Sequence, residues 1–379
     1  MGLYSDFEWM LRYAKTLDPI NAKILEGLGK YGPRNIRFLA KSICLPPTTV
    51  GFRINRLMNE GYLRINANLD HPKLGLMKAV LLVDTLPKFE EIFWRGIENL
   101  GFWTYITRCY GKFDGIYALF AFPAEQKRKL EDYFDEVMRA EALANYLFFW
   151  ITNPYTMPPS FLWFDFQEKG WNFRWQEWVE EILSASEGLP ESLEDPEEYP
   201  ITVDEIDLLI LKELEKDGTV EFTKVADTVD LTPEGVRYRY FKHIIERNLI
   251  VDYDIAIFPY PPQISSMHSF IIDFENENAL AKFANSLQNK PFIVSYAKVI
   301  QKNSVVVHTY TPKMEFPNFI RSLNRLAEEK LVKDFFHVTL DFTSFKRQTI
   351  SYEFFKDGTW IYDQKRTLER TREIIECAS

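Results

Sequence analysis

LPPTTVGFRINRLMNEGYL, residues 45–63, aligns without a gap on LTPEGVRYRYFKHIIERNL, residues 231–249, and this internal repeat decides the fold. Leu45 falls on Leu231, Pro47 on Pro233, Val50 on Val236, Phe52 on Tyr238, Arg53 on Arg239, Arg56 on Lys242 and Glu60 on Glu246. Shared amphipathicity would align apolar positions alone; here Pro, Arg and Glu match as well, which points to duplication. The same offset sets Asp18 on Asp204, each heading a helix-period run that stops at a Gly. Further on, FDFQEKGWNFRW (164–175) matches YEFFKDGTWIYD (352–363) as two aromatic hairpins, each followed by a helical stretch.

Within the first copy, IRFLAKSICL reads as a short helix, Pro46-Pro47 as a turn and TTVGFRINRLMNEGY as a second helix capped by Thr48 or Thr49. Val50, Ile54, Leu57 and Met58 share one face, which leaves Thr49, Arg53 and Arg56 outward. YLRINANLD supplies a wing strand. This is a helix-turn-helix arrangement, in which the second helix meets base edges in the major groove. Residues 17–75 hold nine basic and four acidic side chains, a balance of +5, whereas 203–260 hold seven and thirteen, a balance of -6. The first winged helix therefore has the charge that phosphate binding needs. The second is expected to bind DNA weakly, or to act as a spacer or docking face.

After each winged helix the strand and helix patterns follow the order βαββαβ, so the fold class is α+β, with two winged helices and two ferredoxin-like domains. The divisions are 1–16 (extension), 17–75 (winged helix), 76–153 (ferredoxin-like), 154–186 (hairpin and helix), 187–200 (acidic linker), 201–260 (winged helix), 261–342 (ferredoxin-like) and 343–379 (hairpin and helix). The linker EGLPESLEDPEEYP has little to bury and reads as solvated. Trp163, Trp171, Trp175 and Trp178 read as packing residues.

LDPINAKIL, the FLAKSICLPPTTVGFRINRLMNEGYL core and the β-α units after it resemble the leucine-responsive regulatory protein (Lrp/AsnC) family. The resemblance implies that Thr48, Thr49, Arg53 and Arg56 read DNA, with Lys30, Arg34, Arg37 and Lys41 approaching phosphates from the flank. Arg237, Arg239 and Lys242 form the matching stripe of the second copy. It also implies a regulatory β-α half that binds a small effector near GKFD, through Gly111 and Asp114; a plain hairpin turn explains GKFD equally well. The second copy has Gln301-Lys302-Asn303-Ser304 there, without Gly or Asp.

Siroheme decarboxylases also pair two Lrp-like modules and are enzymes. Such a site needs His and basic groups gathered on the ferredoxin-like sheet, and His268, His308 and His337 lie on strands of the second half. Strand histidines more commonly serve structure, and no P-loop, nucleophile elbow or spaced metal ligand set appears. The leading expectation is a non-enzymatic, cytoplasmic transcriptional regulator. Its partners would be double-stranded DNA and a small effector, with homodimerisation open and no cofactor, metal or membrane association expected. Three scattered cysteines fit a reducing compartment, and no run reaches membrane-span length.

Overall fold

The computed structural model describes residues 16–85, 90–139 and 145–376, so the expected extension 1–16 lies outside the described residues except for Thr16. In chain order, α1 (Pro19–Tyr31), α2 (Ile36–Ser42), α3 (Pro47–Asn59) and β1 (Arg64–Leu69) form the first winged helix. Next come β2 (Leu76–Asp84), α4 (Glu90–Leu100), β3 (Trp103–Gly111), β4 (Gly115–Pro123), α5 (Lys127–Arg139) and β5 (Asn145–Ile151). The short strands β6 (Tyr155–Thr156), β7 (Phe164–Asp165) and β8 (Gly170–Trp171) lead to α6 (Trp175–Ser184).

The second half repeats this order. It has α7 (Glu205–Lys216), α8 (Phe222–Val229), α9 (Pro233–Arg239) and β9 (Ile250–Ala256), then β10 (Ser265–Phe274), α10 (Glu277–Asn285), β11 (Ile293–Lys298), β12 (Ser304–Pro312), α11 (Phe316–Glu328) and β13 (Val332–Leu340). It closes with β14 (Lys346–Arg347), the hairpin of β15 (Phe355–Lys356) and β16 (Thr359–Trp360), and α12 (Gln364–Glu376).

Helix starts follow from local chemistry. Asp18 caps α1, its carboxylate accepting from the Ile20 and Asn21 N–H groups at 2.9 and 2.8 Å. The expected Thr48 or Thr49 cap is not used: α3 begins earlier, at Pro47, with Pro46 in the N-cap position and no side-chain capping bond. Proline is suited there because the first-turn N–H has no helical partner to lose. In the second copy Thr232 does cap α9, and the helix runs on as a π-helical turn over Tyr240–Ile245.

The two halves are related by a pseudo-two-fold. β1 pairs antiparallel with β9, and the register places Ala67 opposite Tyr253, its own equivalent under the repeat offset. The ferredoxin-like strands form one sheet in the order β5-β2-β4-β3-β13-β10-β12-β11-β6. β3 meets β13 at one seam, Gly111 opposite Val338, and the Ile151–Val299 bridge joins β5 to β11 at the other. Alternate side chains therefore enter a shared interior of Val80, Leu82, Tyr117, Ile271, Val306 and Val338, and the opposite sheet face carries the helices.

The terminal extensions exchange partners. Trp175 and Trp178, from the first repeat, pack on Phe283, Phe292 and Phe319 of the second; Trp178 is 0% exposed and donates from Nε1 to Ser286 Oγ at 3.2 Å. Reciprocally, Phe354, Trp360 and Tyr362 cover Phe102 and Phe122 of the first, and Trp360 Nε1 donates to the Leu74 carbonyl at 2.6 Å. The segment expected as a solvated linker is instead a strap: Leu193 is buried with the second repeat's core, and Asp195 accepts from Lys298 Nζ at 2.6 Å and the Gln301 N–H at 3.0 Å. Composition hid this because two residues do the anchoring.

Candidate functional site

Arg53, expected outward on the reader helix, is turned back: its Nη1 donates to Asp18 at 2.6 Å and to Asn21 at 2.9 Å. Arg239 repeats the contact with Asp204 and Asp207, at 2.8–2.9 Å. Both arginines tie the reader helix to the first helix of its own domain. Arg34 is also drawn away from the flank, donating to the Val220 carbonyl at 2.5 Å and lying over the Phe222 ring at 4.4 Å, so it fastens the two winged helices together. Thr48, Arg37, Lys41 and Arg56 are exposed and Thr49 is half-buried; Arg56 pairs with Glu60, Lys242 with Glu246, and Lys30 and Arg237 lie near the Tyr31 and Phe241 rings. Sequence spacing alone missed the inward turn because it counts residues on a cylinder and does not register a carboxylate waiting on the neighbouring helix.

Asp204, Asp207 and His243 gather their ligand atoms within 4.8 Å of one another, a spacing that could suit a cation. Arg239 already supplies the positive charge there. Although burial opposes ionisation, its hydrogen bonds hold Asp204 below the ordinary carboxylate value. Asp207 is 1% exposed and would keep only His243 at 3.1 Å and Arg247 at 4.0 Å, so Arg239→Ala should destabilise the fold by about 1 to 3 kcal/mol. Arg53→Ala should do much less, since Asp18 is part-exposed and Asn21 is neutral. Denaturant titration of the two variants checks this; equal losses would refute it.

The three strand histidines do not converge. His308 faces the interior, its Nε2 2.6 Å from the Tyr117 hydroxyl and its Nδ1 2.9 Å from Ser295 Oγ. His268 and His337 lie on the helix-covered face, ring centroids 5.7 Å apart, with His268 between Ser266 and Thr339. Burial pushes His268 down to about 3 and His308 to about 4, so both are neutral near pH 7. GKFD closes the β3–β4 hairpin beside the seam. Gly111 has φ 123°, Phe113 is buried in the interior, and Asp114 is exposed, its N–H donating to Asp84 at 2.8 Å.

A different cluster has the stronger electrostatics. Lys78 interrupts the apolar strand β2 and sits 6% exposed, with Nζ donating to Thr104 Oγ1 at 3.1 Å. Around it, Glu215 comes from the C-terminal end of α7, Asp254 from β9 and Arg347 from β14. The Ile350 N–H donates to Glu215 Oε2 at 2.8 Å, and Arg347 pairs with Asp254 at 3.7 Å. Burial raises Glu215 to about 7 against the attraction of Lys78 and Arg347; burial likewise lowers Lys78 to about 8 and raises Asp254. Nearby His71 is held neutral by burial, down to about 3, with Nδ1 on Asn153 Oδ1 at 2.9 Å and a buried Nε2 that has no hydrogen-bond partner. Arg347 is 47% exposed and Lys78 6%, so the cluster joins the surface to the buried interior. Two groups displaced toward neutrality from opposite ends of the pH scale mark a candidate acid–base site. Sequence reading missed it because its members come from four distant segments; the visible signal was a lone lysine inside MKAVLLVD.

These features define a winged-helix architecture with a ferredoxin-like second layer, and residues 203–242 match the AsnC-type helix-turn-helix domain. No curated protein matches by sequence. The fold is similar to that of the siroheme decarboxylase NirDL, at 14% identity over 94% of this chain and 98% of that one, TM-score 0.55. The complex of that enzyme with an iron-uroporphyrin III analogue matches equally, at 13% identity over 94% and 99%, TM-score 0.55. LrpC of B. subtilis is 23% identical over 35% of this chain and 91% of its own, TM-score 0.28. The non-enzymatic expectation is thereby corrected: the complete tandem architecture is one on which a solved enzyme is built. No described helix is long and apolar enough to cross a membrane.

Proposed function

We propose that this chain is a decarboxylase acting on a polycarboxylated, siroheme-like tetrapyrrole, and that the Lys78–Glu215–Arg347 cluster is its site. The observation that carries the reading is the buried cluster in which Lys78 and Glu215 sit together, with burial raising Glu215 to about 7 and lowering Lys78 to about 8 so that the lysine stays largely cationic near neutrality, on a scaffold similar to that of NirDL over 94% of the chain. Decarboxylation breaks the carbon–carbon bond to a carboxylate, releases CO2 and returns one proton to the carbon left behind. Such a site needs cations for the carboxylates that stay and an acid still protonated near neutrality. Lys78 and Arg347 fill the first role, Glu215 the second, and Asp254 serves as the counter-ion of Arg347 until a substrate carboxylate replaces it. Absorbance titration with iron-uroporphyrin III tests binding: Arg347→Ala should weaken it at least tenfold, and unchanged binding in both Arg347→Ala and Lys78→Met would remove the cluster from the site.

A second reading, duplex DNA contact, is favoured by the exposed Arg37, Lys41, Thr48 and Arg56 of the first winged helix. Arg56→Ala should cost ~1 to 3 kcal/mol of DNA affinity if it meets a base edge, whereas Arg53→Ala should act only through stability. Gel retardation at two salt concentrations decides it; no salt-dependent retention of any duplex would exclude this reading. A small effector near Gly111 and Asp114 belongs to this second reading, with loss of ligand-induced thermal stabilisation in Asp114→Ala as its check.

A further inference from the structure

β3 carries one residue more than the strand beside it: Trp103 lies opposite Phe120 and Tyr105 opposite Leu119, which makes Thr104 the extra residue of a β-bulge. A bulge re-aims side chains. Here the Thr104 hydroxyl accepts from Lys78 Nζ at 3.1 Å and donates to the Leu119 carbonyl at 3.4 Å. Its backbone carbonyl accepts from the Gln348 N–H at 3.2 Å, beside Arg347, which lies opposite Tyr105. Thr104 thus touches both the lysine and the segment that carries the arginine. The second repeat has the same backbone device without the charges. Val294 is the extra residue of the matching bulge in β11, and its carbonyl accepts from the Met157 N–H at 2.8 Å. The strand register places Met267 where the first repeat has Lys78, and Thr156 where it has Arg347. The hydroxyl therefore belongs to the one repeat that has a lysine to hold. Val294 and Thr104 are both half-buried, so valine fits a bulge of this shape.

We infer that Thr104 is a positioning residue of the site: its hydroxyl holds the Lys78 ammonium in place and in its charged form, ready for a carboxylate of the ligand. A hydrogen bond to an ionised group is stronger than one between neutral groups. With its own proton committed to Leu119, the hydroxyl offers Lys78 a lone pair, which favours the ammonium over the amine. Burial works in the opposite direction. The other charged or titratable groups about Lys78 are Glu215 of α7, Arg347 of β14 with its partner Asp254 of β9, and His71 ahead of β2. All of them stay when the hydroxyl alone is removed. The use of Lys78 on a tetrapyrrole rests on the decarboxylase reading; the hold of Thr104 on Lys78 does not, and it is read without substrate.

Thr104→Val in the full chain tests it. Lys78 titrates at about 8 in the native chain, and the variant should lower that by about one pH unit. The carbon-13 resonance of Lys78 Cε in lysine-labelled protein reads the titration, assigned by its loss in Lys78→Met. Iron-uroporphyrin III should bind the variant about threefold more weakly, or worse, at pH 8 and as tightly as the native chain at pH 6, where the lysine is charged in both. The titration of Glu215 is common to the two proteins and cancels in their ratio. Thr104→Ser, which keeps the hydroxyl, should restore both readouts. An unmoved Lys78 titration, a binding loss equal at the two pH values, or no rescue by serine would overturn the inference. If the native chain does not bind iron-uroporphyrin III, the decarboxylase reading falls, and the Lys78 titration alone still decides the role of Thr104.

Discussion

Glu215→Gln is expected to lower CO2 release by about 10²-fold or more, the scale of a lost general acid, while tetrapyrrole binding, which rests on Lys78 and Arg347, changes little. The pH profile adds a second signature. Folded Glu215 keeps its proton up to about 7, against an ordinary value of 4.5, so the acid form that donates is lost as the pH rises through about 7 and the rate should fall with it. The same shift governs stability: the folded chain holds more protons between 4.5 and 7, so the contribution is full below 4.5 and is lost as the pH rises through 7. Lys78 behaves oppositely, with a contribution present above 10.5 and lost as the pH falls through about 8. Glu215→Gln should flatten both the rate limb and the stability slope near 7; a surviving limb would place the acid elsewhere.

Trp178→Ala should cost about 3 to 5 kcal/mol of unfolding free energy, the range for a large aromatic side chain removed from a packed core. The loss would be felt in the second repeat although the residue belongs to the first, because Trp178 is enclosed by Phe283, Phe292 and Phe319 at 5.0–6.0 Å between ring centroids. Urea titration, followed by the fluorescence of the remaining tryptophans, measures it. A loss below about 1 kcal/mol would show that the exchanged extension is dispensable.

Much of the architecture was legible because it is local. The repeat of residues 45–63 at 231–249, the two aromatic hairpins and the βαββαβ order rest on periodicity and turn chemistry, and the tryptophans of the first extension were rightly read as packing residues. What could not be read was partnership across distance. Arg53 looks outward on a helical wheel until Asp18 and Asn21 are placed beside it. Leu193 looks solvated in an acidic run until β11 and the strap are side by side. Lys78, Glu215, Asp254 and Arg347 span 270 positions of sequence, and only the β1–β9 ribbon and the seam between half-sheets bring them together. The histidines misdirect for the same reason: strand parity sends His308 to one face and His268 and His337 to the other.

Incubating the purified full chain with siroheme under anaerobic conditions, with released CO2 and the mass of the tetrapyrrole measured together, decides whether the chain is a decarboxylase. Stoichiometric CO2, a tetrapyrrole lighter by the mass of the CO2 released, and loss of both in Glu215→Gln despite retained binding are expected. A chain that leaves siroheme intact and unbound would contradict it.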